Sequence, residues 1–323
     1  MSHPTIYLVE DSDGMRLDRW LKKQIPDLRQ SVLEKLLRTG KIKLNDKKIA
    51  AGHRITIGDV ISVWEDMEKY KNVLPQISMN EAPSLSPADI EFFTSLIIWE
   101  DEEMMIINKP SGLAVQGGTK TFNHVDRYLA GLGELKNCRY RLTHRIDRDT
   151  SGLLVIAKTS EMATHLTQCF KDGTVEKTYW AVTVGQPHPG SGTIKAPLIK
   201  AGIGDREKVV VDYETGKPAI TVYQTLKRLE KTRLPFMAWM ELKPQTGRTH
   251  QIRVHCQHLG APILGDGKYG GKGVTDINRT LHLHARSITI RDRDGNKLSF
   301  NAPPPDHFAE TLARYGIEWS KTI

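Results

Sequence analysis

The hydrophobic positions of the chain change their period along its length. Near the N-terminus Leu17, Trp20 and Leu21 recur at helical spacing, as do Val32, Leu33, Leu36 and Leu37. That spacing predicts two short amphipathic helices. Ser31, with Glu34 three residues on, reads as a capping box for the second helix, and Thr39-Gly40 closes it. "KIKLN" then predicts a strand, Asn45-Asp46 a turn, and "RITI" a short strand ahead of Gly58-Asp59. The stretch "KYKNVLPQISMNEAPSLSPADI" has no sustained apolar period and carries Pro75, Pro83 and Pro87, so residues 76–90 read as a linker. From about Glu91 strand-like runs take over: "LIIWED", "MMIINKP", "LLVIAKT", "TYWAVTVG", "AITVYQTLKRLE", "FMAWMELKP" and a late "LHLHARSITIRD". Helical spacing returns from about Glu161 to Phe170 and in "RTHQIRVHCQHLG". Strands outnumber helices without regular β-α alternation. The expected class is α+β with a mostly antiparallel central sheet, divided into a small module over residues 13–75 and a larger domain over 91–323.

Composition sharpens this division. The 323 residues suffice for one large domain or two ordinary ones. No run approaches the roughly 18 apolar residues of a membrane helix, and "MSHPTIYLVEDSDG" lacks a secretory h-region. Three cysteines, Cys138, Cys169 and Cys256, form no CxxC pair and read as free thiols of a reducing, cytoplasmic compartment. The net charge of +8 is unevenly spread. Residues 13–62 hold twelve Lys/Arg against six Asp/Glu, leaving 34 against 32 for the remainder. A basic excess confined to one small segment is the footprint of a nucleic-acid-binding module. Two helices and a small sheet with surplus Lys/Arg resemble the RNA-binding domain named after the ribosomal small-subunit protein S-four.

Several familiar motifs fail on context. "GDGKYG" at 265–270 matches GxGxxG, but "GAPIL" is a poor preceding strand and "GKGVTDIN" a poor helix start. Gly271-Lys272 lacks the glycine of a P-loop five residues earlier. His250, His255, Cys256 and His258 do not follow the i, i+4 spacing of a two-histidine zinc helix, and no hydrolytic acid accompanies them. "HRID" stands without the other kinase signatures. No metal or nucleotide cofactor is therefore expected.

The remaining candidate is "HRIDRDTSGLLVIAKT" at 144–159. Asp147, flanked by Arg145 and Arg148, would be held as a carboxylate, suited to a nucleophile or base. Asp149, before Thr-Ser-Gly, reads as a residue that satisfies turn amides. The two carboxylates are too close in sequence to flank a sugar as a glycosidase pair does. A purely structural Arg-Asp cluster is the competing reading of this run taken by itself.

Five segments occur in order: "NKPSGLAVQGG", "HRIDRDTSGLLVIAKT", "EKTYWAV", "VDYETGKPAITVY" and "LKPQTGRTHQIRVHCQHLGAPILGDGKYG". Together they resemble the RluA/RluC-type pseudouridine synthases, most closely the RluC-type enzymes of the bacterial large ribosomal subunit, over nearly the whole chain. Ile146 replaces the commoner leucine of that motif, and the late strand lacks the His-Pro that often ends it. The resemblance implies that Asp147 is the catalytic aspartate, that Tyr179 is its aromatic partner at the target base, and that Arg253 pairs with the aspartate. It also implies that Arg145 fills the gap left by a flipped nucleotide. Arg148, Arg248, His250 and Lys109 are expected to contact RNA in the larger domain. Arg16, Arg19, Lys22, Lys23, Arg38 and Lys41 are expected to do so in the small module. The implied partner is large-subunit ribosomal RNA or its precursor, and the implied chemistry is free of cofactors; a monomer is the default expectation. The alternatives are a synthase for transfer RNA or another ribosomal site, and a non-catalytic assembly factor, whose mark would be loss of Asp147, Tyr179 or Arg253.

Overall fold

The computed structural model describes the chain except residues 1–3, 12, 26–27, 29, 66–84, 118–120, 203–206, 233 and 322–323, and of 30 and 31 only the backbone. It divides into two compact units, Met1–Glu81 and Ala82–Ile323.

The N-terminal unit contains β1 (Thr5–Leu8), α1 (Leu17–Gln24), α2 (Gln30–Thr39), β2 (Ile42–Leu44) and β3 (Val60–Val63). The strands form an antiparallel sheet in the order β1-β3-β2. Leu17, Trp20, Leu21, Leu33, Leu36 and Leu37 are the buried stripes of the two helices and pack with Ile42, Ile55 and Ile61. Three local expectations need correction. The unit begins before residue 13, because β1 pairs with β3. Helix α2 starts at Gln30, so Ser31 lies inside it and is no N-cap; the Ser31 side chain is outside the described residues. The strand expected at "RITI" comes later, at Val60–Val63. Asp59 Oδ2 accepts the Thr56 N–H at 2.8 Å, which commits that stretch to a turn. The turn at Asn45-Asp46 is a two-residue hairpin with positive φ at both residues, +47° and +60°.

The C-terminal unit opens with α3 (Pro87–Ser95), within the span read as linker. Ser86 caps it: its Oγ accepts the Asp89 N–H at 3.1 Å, Asp89 accepts the Ser86 N–H, and Pro87 occupies the first turn. The linker therefore ends before Ser86, and its earlier part, through residue 84, lies outside the described residues. There follow β4 (Ile97–Glu100), β5 (Met104–Lys109), α4 (Val125–Lys136), β6 (Arg141–Leu142), β7 (Ser151–Ala157), α5 (Ser160–Asp172), β8 (Glu176–Val184), β9 (Ser191–Lys195), β10 (Leu198–Ala201) and β11 (Lys208–Val211). The chain continues with β12 (Ile220–Leu229), β13 (Met237–Pro244), α6 (Gln251–His258), α7 (Lys272–Thr275), β14 (Leu283–Arg291), β15 (Lys297–Asn301) and α8 (Asp306–Arg314).

The main sheet runs β4-β5-β7-β14-β8-β13-β12-β9, with β15 paired to β14 and β6 to β7. Among the described pairs only β7 with β14 is parallel. Period-2 alternation buries both faces. Leu154 and Ile156 of β7 pack with Phe93, Val125 and Leu129 of α3 and α4, whereas Leu153 and Val155 pack with Met162 and Leu166 of α5. On β8, Trp180 and Val182 meet Phe308 and Leu312 of α8, while Tyr179 and Ala181 share a cluster with Ile252 and Cys256 of α6.

The parallel seam joins Ser151 and Gly152 to His284 and Ala285. Gly152 has φ +109°, and a Cβ there would lie 2.3 Å from the Ala285 carbonyl oxygen. Ser151 Oγ meets His284 Nδ1 at 2.9 Å, and His284 Nε2 meets the Ala302 carbonyl at 3.1 Å. "TSG" is thus the place where the two halves of the sheet are joined, directly after the charged loop.

Candidate active site

The loop from β6 to β7 is fixed before any ligand is considered. His144 Nε2 accepts the Val155 N–H at 2.8 Å. Ile146 is buried in the cluster that contains Leu113 and Val115. The loop is then stitched to "KPSGL". Gly112 N–H donates to the Arg148 carbonyl at 3.0 Å, Arg148 Nε donates to the Gly112 carbonyl at 2.9 Å, and Ser111 Oγ donates to the Asp149 carbonyl at 2.7 Å.

Lys109 completes the attachment. It is fully buried, and Nζ donates to the carbonyls of Pro110 (2.9 Å), Leu113 (2.7 Å) and Arg148 (2.9 Å). Burial pulls its pKa down to about 7 against the opposing charges of Asp149 and Asp147. Three acceptors, one for each ammonium proton, favour the charged form. The expectation that Lys109 contacts RNA is therefore corrected: a side chain with no exposure and all donors engaged is a clamp on the loop. With Ile146 tucked in and Arg148 bound back, Asp147 faces outward with its side chain 22% exposed.

Its partners come from the other side. Gln251 fixes the start of α6: Oε1 accepts from Thr246 Oγ1 (2.8 Å) and Arg248 N–H (3.0 Å), while Nε2 donates to the Ile220 carbonyl and Thr221 Oγ1. Arg253, two residues along, is 6% exposed. Its Nε and Nη2 donate to the two oxygens of Asp266 at 2.8 and 2.7 Å, leaving Nη1 3.8 Å from Asp147 Oδ2. Burial works against the Arg253 charge, but Asp266, then Asp147, outweigh it and the net shift is upward. Asp266 is itself held by the N–H groups of Lys268 and Tyr269. The "GDGKYG" turn thus presents the carboxylate that orients Arg253. Its Gly265 has φ +78°, and a Cβ there would lie 1.9 Å from the Thr280 carbonyl oxygen.

His250 Nε2 lies 3.9 Å from Asp147 Oδ2, and Nδ1 meets the Tyr269 hydroxyl at 2.7 Å. That hydroxyl also accepts the Val209 N–H at 3.1 Å. A bare Nε2 lone pair facing a carboxylate is unfavourable, so the consistent tautomer has Tyr269 donating to Nδ1 and Nε2–H turned toward Asp147. Burial lowers the His250 pKa, with Asp147 opposing. His250 holds a left-handed φ of +53°, strain of about 1–3 kcal/mol of the kind that collects at functional sites. Tyr179, half-buried on β8, senses the same carboxylate: burial, then the Asp147 charge, push its phenol strongly upward, so it is neutral. Two open clefts, of about 370 and 250 Å³, lie along β9 and β12, and neither is lined by Asp147, Tyr179 or Arg253.

Comparison with known proteins decides the family. Residues 103–258 match the family model described as RNA pseudouridylate synthase. The chain is 36% identical over 302 residues to the ribosomal large subunit pseudouridine synthase C of Rickettsia prowazekii, covering 92% of this chain and 96% of that one. It is 34% identical over 313 residues to the protein of the same name from Vibrio parahaemolyticus, covering 94% and 93%. This chain belongs to the RNA pseudouridylate synthase family. Among solved structures, human RNA pseudouridylate synthase domain containing 4 superposes with a TM-score of 0.59 at 28% identity, over 72% of this chain and 98% of that one. Human domain containing 1 gives 0.57 at 25% identity, over 67% and 86%.

The pseudouridine synthase places its other candidate residues unevenly. Arg145 is exposed, and neither it nor Arg148 forms an ion pair with Asp147, so the sequence neighbours do not do what the distant Arg253 does. Arg248 is exposed with Nε on the Pro218 carbonyl at 3.1 Å. His250 lies beside Asp147, and its side chain is about as exposed as the aspartate's. His255 spends both ring nitrogens on Thr221 and Ala196, a packing role. In the N-terminal unit Arg19, Lys22 and Lys23 are exposed on one face of α1, and Arg38 and Lys41 are exposed at and just beyond the end of α2. Arg16 is committed to Asp18, with Nη2 at 2.6 Å from Oδ2. Sequence reasoning passed over Asp266 and Tyr269, although both stand inside a quoted segment; their signal was a glycine-rich turn that fitted no nucleotide site.

Proposed function

We propose that this enzyme converts specific uridines of large-subunit ribosomal RNA, or its precursor, to pseudouridine, acting as a cytoplasmic monomer without a cofactor. The relatives that match along almost its full length carry that substrate in their names. The observation that carries the catalytic assignment is Asp147, held on an anchored loop and faced by Arg253 and His250. In this reading the target uridine leaves its stack at a cost of a few kcal/mol. Arg145, exposed and without a partner among the described residues, occupies the vacated position as a planar guanidinium can. Tyr179 stacks on the uracil, an interaction worth about 1–3 kcal/mol. Asp147 acts at the sugar, the glycosidic C–N bond breaks, the uracil turns, carbon five rejoins the sugar and gives up its proton, and the freed ring nitrogen takes one up. The isomerisation neither adds atoms nor changes oxidation state, so its balance needs no redox partner. Arg19, Lys22, Lys23, Arg38 and Lys41 of the S-four-like unit contribute phosphate contacts.

Carbodiimide primer-extension mapping of total RNA tests this in a strain lacking the protein, complemented with wild type or Asp147→Asn. Stops in large-subunit RNA that return only with wild type are the expected result. Stops confined to transfer RNA would move the substrate. Equal return with Asp147→Asn would make the chain a non-catalytic factor.

A further inference from the structure

Lys177 lies two residues before Tyr179, so the two side chains leave the same face of β8. The irregularity in pairing with β14 falls between Ala285 and Ser287 and leaves the alternation of β8 intact. Lys177 is half-buried, and its ammonium stands 5.8 Å from the centre of the Phe170 ring. Phe170 stacks on His144 at 4.2 Å between centroids, and His144 is the residue that anchors the start of the Asp147 loop. The ammonium thus stands at the ring whose partner, His144, begins the Asp147 loop, and its side chain leaves the face of β8 that carries Tyr179.

Among the described residues no carboxylate lies within ion-pair distance of Lys177 and no acceptor takes its protons. The acids nearest in sequence are engaged elsewhere. Glu176, on the opposite face of the strand, pairs with Lys297 at 3.3 Å, and Asp172 accepts from Gln168. Burial acts on Lys177 without a compensating charge and lowers its pKa. A partly desolvated cation with only a phenylalanine ring as partner is poorly compensated, whereas Arg253, buried at the same site, has its own carboxylate and Lys109 has three carbonyls.

We propose that Lys177 is a phosphate-binding residue of the active site, its ammonium taking the backbone phosphate of the RNA strand beside the uridine held by Tyr179. The proposal rests on the reading that Asp147 is the centre of an RNA-modifying site. Its competitor is a lysine whose stem merely covers Phe170.

The test uses the full-length enzyme and an RNA fragment that wild type modifies. Lys177→Met keeps the stem over Phe170 and removes the charge; Lys177→Arg keeps the charge. Binding is titrated across salt concentrations, and turnover is measured to separate KM from kcat. Lys177→Met is expected to raise Kd and KM on the order of tenfold and to reduce the slope of log affinity against log salt by about 0.7–0.9. The loss falls on KM more than on kcat, Lys177→Arg restores most of it, and the thermal midpoint does not fall. An unchanged salt slope in Lys177→Met overturns the proposal, as does a loss of kcat alone or an equal loss in Lys177→Arg. Asp147→Asn runs alongside: if it still turns over, the catalytic reading fails, whereas an inactive Asp147→Asn with an unaltered Lys177→Met slope sinks only the phosphate assignment.

Discussion

A single carboxylate is cheap to expose and expensive to aim, and most of the charged residues around Asp147 serve the aim. Arg253 is fixed from behind by two hydrogen bonds to Asp266, so only Nη1 is presented to Asp147. Removing one partner of a buried pair typically costs about 3–5 kcal/mol, because the other charge is stranded. Asp266→Asn is therefore expected to lower stability by about 3 kcal/mol in urea unfolding. It should also lower kcat by roughly 100-fold, since a positioning error alone costs that much. A variant that unfolds like wild type and turns over normally would remove Asp266 from the positioning chain. Asp147→Asn, by contrast, should abolish turnover with little change in stability, because its side chain is partly exposed and rests at 3.8–3.9 Å from its neighbours. The two variants separate aiming from chemistry.

Elements position these residues through contacts that tolerate little change. The parallel seam of β7 and β14 is two residues long in its register, and Gly152 sits in it with a conformation and a clearance that exclude any side chain. Gly152→Ala must either push β14 away or abandon φ +109°. We expect a loss of at least about 4 kcal/mol, measured by chemical denaturation, or failure to fold. The "KPSGL" turn is the second device. Lys109→Met fills the same space but leaves the carbonyls of Pro110 and Leu113 without their ammonium donor, at about 1–3 kcal/mol for each buried unsatisfied group. Activity should fall further than stability does, since the Arg148 carbonyl is held one residue from Asp147. Equal stability in Lys109→Met and wild type would contradict the clamp.

At the scale of the molecule, histidines buried as neutral rings make the fold acid-sensitive. Burial holds His282 and His284 down at about 4 and His144 at about 3. Unfolded histidine titrates near 6.5. Between about pH 6.5 and pH 4 the unfolded chain takes up protons that the folded chain refuses, so stability falls as pH falls through that window. Each such residue contributes at most about 1.4 kcal/mol per pH unit. The thermal midpoint should therefore decline as pH falls below about 6.5; a midpoint that rises on acidification would refute this account. The N-terminal unit contributes at the same scale through charge. Deleting residues 1–75 should weaken RNA binding and flatten its salt dependence, because fewer phosphates are neutralised. An unaltered slope would mean that its lysines and arginines do not touch RNA.

Much of this protein was legible in order along the chain. Periodicity located the longer strands and helices α1, α2, α5 and α6, because each buries a continuous face that its own residues must supply. The α+β class followed from their order, and Asp147, Tyr179 and Arg253 stood in quotable segments. Short or mixed elements were not legible: α4, α8, β1, β9, β10, β11 and β15 take their stability from neighbours that a local pattern does not name. Helix α3 was hidden by its prolines, although Ser86, Pro87 and Asp89 spell its cap. Charge assignments failed where proximity in sequence stood in for proximity in space. Arg145 and Arg148 flank Asp147 but leave it to Arg253, and Lys109, read as an RNA contact, is the most deeply buried lysine of the site. The sequence by itself determined which residue types were available and in which periodic element each would sit. Only the tertiary structure decided which charges face one another. A carboxylate's partners are set by distances of 3–4 Å, and those distances here are fixed by how β7 meets β14 and how α6 lies against β12.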